Sequence, residues 1–251
     1  MSPLALSSIL FVLMLGGVFL GALLRGALPK HHLSKDSQDV VRLGVGLIAT
    51  MAALVVGLLI AAAKGSYDTQ SGEVKQITAD MILLDNLLAQ YGPETSPIRQ
   101  QIREVIPSFA GRIWQEKAVA TDAPYIPSAA AEKIYQELQT LSPQNELQRS
   151  LQARTVQIST DLAQTRLLLF TQSNSSIPLP FLGVLAFWLI IIFASFSLFA
   201  SLNATVFVSL SLFAMSASCA IFLILELSEP FIGLLKISSA PLLNALPPLA
   251  Q

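Results

Sequence analysis

The stretch LGVGLIATMAALVVGLLIAAAKGSYD, Leu43–Asp68, decides how the rest of the chain is read. About twenty residues pass without a charge before Lys64, and polar sequence follows at once. At about 1.5 Å per residue that run is ~30 Å long, the thickness of a bilayer's hydrocarbon core. Within it the small residues Gly46, Thr50, Ala53, Gly57 and Ala61 are spaced four, three, four and four apart. They share one helical face, where a neighbouring backbone can come close.

Three more apolar runs flank this one. Leu4–Leu24 is a first crossing, longer than a signal-peptide core and without a basic residue before Arg25, so it reads as a retained helix. Its Gly17 and Gly21 form a small-xxx-small pair suited to close packing. Helix three covers roughly Ile177–Leu202, and helix four Ala204–Leu225 follows after a turn marked by Asn203. A connection that short makes helices three and four an antiparallel hairpin. The composition agrees: only 12% of the 251 residues are charged, about half the share of a soluble domain.

Between Lys64 and Ser176 the apolar runs give way to four amphipathic helical patterns. The first places Val74, Ile77, Met81, Leu84, Leu88 and Tyr91 on one side and stops at Gly92-Pro93. The second opens with Ser96 as cap and Pro97 in the first turn, presents Ile98, Ile102, Val105, Phe109 and Ile113, and bends at Pro107. After a loop with Pro124 and Pro127, Ser128 caps a shorter helix bearing Ile134, Leu138 and Leu141. Ser142-Pro143 opens the last, with Leu147, Leu151, Ile158, Leu162 and Leu169 on one face, interrupted by Thr155. The fold expected is all-α: four transmembrane helices with an all-helical extramembrane body between helices two and three. The boundaries are a hairpin over 1–63, the body over 64–176, a second hairpin over 177–225 and a tail over 226–251. The tail is too short and too proline-broken to span; it suits the interface or the surface of the body.

Several functions are disfavoured by what the chain lacks. A formal net charge of −1 recommends no nucleic-acid partner. A single cysteine, Cys219, allows no internal disulfide or cysteine-built metal centre, and the only histidines are the adjacent His31 and His32. No enzyme, cofactor or metal is expected. Helix four is the one polar-flecked crossing, with Thr205, Ser209 and Ser216 on one face and Ser211 and Ser218 beside it. Either these hydroxyls line a permeation path, or they bond back to their own helix or bridge to helix three. Glu226 and Glu229 flank its end, as interfacial caps or as an ion site. Arg99, Arg103 and Glu104, and Arg154 with Asp161, read as solvated helix faces. Charge leaves orientation open: Arg25, Lys30, Lys35 and Arg42 on one side face Lys64, Lys75, Arg166 and Lys236 on the other.

Taken in order, several strings resemble the bestrophin-like family of bacterial membrane proteins. They are Leu28-Pro29, His32-Leu33 and Asp39, then the run Gly46–Asp68, then Leu84-Asp85, Leu88 and Tyr91–Glu94 with Arg99 and Arg103. LELSEPFIGLLKISSAPL, Leu225–Leu242, closes the match, so the resemblance runs from about Leu20 to Leu246. It implies four crossings with a helical body between the second and third. Through the bestrophins it implies a pentameric anion channel whose second crossing lines the pore and whose body and termini are cytoplasmic. The chain departs from bestrophins in two respects: Leu43–Ala63 carries no aromatic residue for a neck, and no acidic cluster matches a calcium clasp.

The expectation is therefore a homo-oligomeric, pentameric anion channel in a bacterial plasma (inner) or other internal membrane. Helix two faces the axis through Gly46, Thr50, Ala53, Gly57 and Ala61, and the partners are membrane lipids and further copies of the chain. The alternative is a non-conducting scaffold or accessory subunit that docks a protein partner on its helical body.

Overall fold

A computed structural model describes residues 2–29, 34–115, 129–172, 179–200 and 203–247. The loop histidines, Pro124, Pro127 and the cap expected at Ser128 lie outside them. Among the described residues every regular element is helical: α1 Pro3–Ala27, α2 Lys35–Tyr91, a 3-10 turn Pro93–Thr95, α3 Ser96–Gln115, α4 Ala129–Thr140, α5 Glu146–Gln172, α6 Leu179–Phe199, α7 Ala204–Leu227 and the short α8 Ala240–Leu243. Among the described residues four helices are long and apolar enough to cross a bilayer: α1, α2, the Pro180–Phe199 part of α6, and α7. This is a membrane protein of four crossings. The chain divides into two compact units, Met1–Ser66 with Ile177–Ser228 and Tyr67–Ser176 with Glu229–Gln251.

In the membrane unit, Ser2 caps α1 by accepting from the Ala5 amide at 3.3 Å, and Pro3 takes the first helical position, where a missing N–H costs nothing. Met14 and Val18 of α1 bury themselves against Phe193 of α6 and Leu210 and Ala214 of α7. Gly17 and Gly21 face α6 at backbone range. A Cβ built on Gly17 would lie 2.9 Å from the Ile190 carbonyl oxygen, and one on Gly21 would fall on that of Ala194. The small-xxx-small pair is thus the seam between α1 and α6. Ser218 of α7 donates to the Ser7 carbonyl at 2.7 Å, a buried tie to α1. Val45 and Ala52 of α2 pack with Leu185, Ile192 and Ile221.

The sequence suggests a helix boundary near Lys64, but α2 continues without interruption for 57 residues, about 85 Å. Hydropathy changes there while the backbone has no reason to stop. The stretch holds no proline, and Gly65 and Gly72 each cost only about 1 kcal/mol in a helix.

In the helical body, the expected stripe of α2 from Val74 to Tyr91 is buried throughout. Gly92 makes the turn with φ +147°, and an added Cβ there would strike the Glu94 carboxylate. Thr95, fully buried, closes the turn by donating to the carbonyls of Leu88 at 2.5 Å and Gly92 at 2.8 Å. Ser96, expected as a cap, is already helical because the 3-10 turn precedes it. α5 begins at Glu146, later than Ser142-Pro143 suggests, because Asn145 supplies the cap: its Oδ1 accepts from the Gln148 amide at 2.8 Å. Leu151, Ile158 and Leu169 are buried as expected, but Leu147, in the first turn, is 66% exposed. Thr155 sits fully buried in the stripe, its hydroxyl satisfied by the Gln152 carbonyl at 2.8 Å. The tail packs on the body: Phe231, Ile237 and Leu242 join Val74, Ile77 and Phe109 in one core, and Trp114 Nε1 donates to the Ile237 carbonyl at 2.8 Å.

Candidate functional site

The apolar part of α2 is the least covered by its own chain. Only 11% of its apolar window is buried, against 28% in each of the other three crossings. At about 100° per residue the helix divides into three sectors. Val45, Ala52 and Ala63 are buried. Leu47, Met51, Leu54 and Leu58 form an exposed bulky sector. Gly46, Thr50, Ala53, Gly57 and Ala61 form the third, spanning about 80°, and every one of them is exposed. A Cβ added at Gly46 or Gly57 meets nothing within 4 Å. The contrast with Gly17 and Gly21 is direct: one small-residue face is consumed by the chain's own packing, and the other is not. Thr50 is the only side chain with a hydroxyl on that face, and its Oγ1 donates to the Leu47 carbonyl at 2.7 Å.

The α7 hydroxyls separate. Ser218 is spent on Ser7, and Ser211 bonds back to the Phe207 carbonyl at 2.8 Å. Thr205 and Ser209 line a crevice beside α2 and α6, whereas Ser216 lies exposed beyond its lining. Glu226 is buried at 3% exposure near the end of α7.

The helical body holds one arrangement that helix-face reasoning misses. Asp85 of α2 lies between two arginines of α3. Its Oδ1 accepts from Arg99 Nε at 2.9 Å and Arg103 NH1 at 2.7 Å, and its Oδ2 from Arg99 NH2 at 3.0 Å and Arg103 NH2 at 2.9 Å. The Asp85 side chain is 8% exposed and the arginines 20% and 15%, so this is a buried cluster and not a solvated face. Burial alone would raise the Asp85 pKa; the hydrogen bonds and charges of Arg99 and Arg103 outweigh it and hold the carboxyl below its ordinary value. Arg103 also donates from Nε to the Pro247 carbonyl at 2.8 Å, so the same cluster pins the tail. The signal was available: an acid inside the Leu84–Leu88 stripe has to find a cation, and Arg99 and Arg103 sit one helical turn apart beside Ile98 and Ile102.

A family model for the Bestrophin-like domain matches residues 12–242. The chain belongs to the bestrophin-like family. No curated protein and no solved structure matches it. In this bestrophin-like chain the match takes in α1 from Val12 onward, the whole of α2, the Asp85 cluster, α7 and the tail as far as Leu242.

Proposed function

We propose that this bestrophin-like protein is a homo-oligomeric, pentameric anion channel in which α2 lines the axis and α6 and α7 lie outside it. The observation that carries the reading is the exposed small face of α2, Gly46–Thr50–Ala53–Gly57–Ala61, set against an opposite sector already packed within the chain. Small residues let backbones approach in lipid, where helix association depends on packing and not on hydrophobicity. Around a closed ring, that face leaves bare backbone and the Thr50 hydroxyl as the polar groups a passing anion meets. Thr50 would have to release the Leu47 carbonyl to serve it. No Asp, Glu, Lys or Arg interrupts the apolar cores, which speaks against a proton-coupled carrier and against enzyme chemistry within the membrane. By analogy with bestrophins the body and both termini face the cytoplasm of a bacterial plasma or other internal membrane.

Purified protein in planar bilayers tests the proposal. Anion current above empty vesicles is expected, and Gly57→Trp, which adds a large ring to the exposed face, abolishes it. No current, together with a monomeric mass in detergent, would sink the channel and favour the scaffold.

A further inference from the structure

The membrane unit contains a crevice of about 490 Å³ between α2, α6 and α7, within the ~300–1,000 Å³ range of small-molecule sites. Its lining changes character with depth. At one end are Arg42, the last charge before the apolar run of α2, Ala200 just past the end of α6, and Thr205 in the first turn of α7. These positions mark the level at which the three helices meet the bilayer boundary. From there the lining on α2 descends to Ala49, seven residues or about 10 Å. The deeper walls are apolar, with Val45, Phe196 and Phe213; the two phenylalanines are themselves 46% and 61% exposed, so the crevice opens toward lipid.

Two features of the lining ask for acceptor oxygens. The hydroxyls of Ser195, Thr205 and Ser209 form no hydrogen bond among the described residues, although those of Ser211 and Ser218 of α7 each bond to a carbonyl. A hydroxyl left without a partner beside hydrocarbon costs about 1–3 kcal/mol. Arg42 is the one charged residue of the lining, and no carboxylate shares it. Its contact with Asp39 is 3.9 Å long, with both side chains about two-thirds exposed (67% and 71%), the kind of surface pair that contributes little. The guanidinium is therefore able to turn to a phosphate, which it matches with two parallel donors.

We propose that this crevice binds one anionic phospholipid per chain. The phosphate sits against Arg42 and Thr205, the ester region reaches Ser209 and Ser195, and one acyl chain lies along Val45, Ala49 and Phe196. Every lining residue belongs to a single chain, so the site does not depend on the pore reading. Gly46 borders both the crevice and the exposed small face, which places the lipid beside any neighbouring copy.

The test uses the full chain reconstituted in vesicles of equal phosphatidylglycerol and phosphatidylcholine, re-extracted in detergent and weighed by native mass spectrometry. Wild type should retain one phosphatidylglycerol per chain, enriched about tenfold over phosphatidylcholine, whose phosphate is the same but whose quaternary ammonium sets a like charge beside Arg42. Arg42→Gln, at an exposed position, should bring that ratio close to one while a lipid is still held. Ser209→Phe, and independently Ala49→Phe from the opposite wall, should remove the lipid altogether, so a folding failure in one does not stop the test. Wild type without retained lipid overturns the proposal, as does a headgroup ratio unchanged by Arg42→Gln. Oxidative cross-linking of Ser209→Cys between copies, in a Cys219→Ser background, would show a second chain in the crevice and also overturn it.

Discussion

Gly21 and Gly57 look alike in sequence and are opposite in structure, and substituting both tests the assembly face directly. At Gly21 even one methyl group falls on the Ala194 carbonyl oxygen and comes within 3.1 Å of the Leu198 amide nitrogen, so α1 and α6 must part. Overpacking of this kind costs about 1–3 kcal/mol. For a chain of this length each kcal/mol moves the melting temperature by about 2–4 °C. Against the ~1 kcal/mol that alanine gains over glycine in helix preference, Gly21→Ala should therefore melt up to about 8 °C below wild type. At Gly57 an added Cβ meets nothing, and replacing a helical glycine gains up to about 1 kcal/mol in intrinsic preference. Gly57→Leu should leave the single chain as stable as wild type while lowering the assembled mass. Thermal unfolding of the monomeric fraction in detergent, with light scattering on the assembled fraction, reads both quantities. A Gly57→Leu chain that melts as low as Gly21→Ala would refute the exposed-face argument. A stable chain whose assembled mass is unchanged would refute assembly through that face.

Three further outcomes are expected. The Asp85 pKa lies below its ordinary 3.8, so its contribution is complete above that value and is lost as pH falls through the lower, folded one. Acid melts of wild type should therefore drop below about pH 4. Asp85→Asn should remove this dependence and cost about 3–5 kcal/mol at pH 7, because Arg99 and Arg103 lose a buried counter-charge; an unchanged melting curve would contradict the cluster. Ser218→Ala should cost about 0.6 kcal/mol, the average for a hydrogen bond between membrane helices, read as a shift in an unfolding titration. For orientation, Gln139→Cys in a Cys219→Ser background places a thiol on an exposed position of α4. Intact cells should leave it unmodified by a membrane-impermeant reagent, and labelling would put the body outside.

The four crossings were legible because hydrophobic length is a property of composition, readable without knowing any contact. The Val74–Tyr91 stripe was legible because its spacing follows the helix period, and every member is buried. Where α2 ends was not, because Lys64 signals the loss of lipid as solvent while a helix needs a proline or a cap to stop. Leu147 had the right spacing but falls in the first turn of α5, and periodicity does not say how far a neighbour extends. The Asp85 cluster was missed for a different reason. Its partners stand 14 and 18 residues away across the Gly92 turn, beyond the reach of any rule about neighbours on one helix. The small face of α2 was visible as a pattern; whether the chain itself would cover it was a question of tertiary packing.

The mixed core of the helical body has a consequence for the timing of synthesis. Val74 and Phe109 share that core with Phe231, Ile237 and Leu242, and Arg103 holds the carbonyl of Pro247. Between the last residue of α5 and Pro247 the ribosome must add 75 residues, including two complete membrane crossings. At about 5–20 residues per second that takes roughly 4–15 s. Throughout that interval α2, α3 and α5 present an uncovered apolar surface outside the membrane. Completion of the body thus waits on α6 and α7, and a chain stalled between Leu227 and Phe231 would carry all four crossings with an open core, a target for chaperones and proteases.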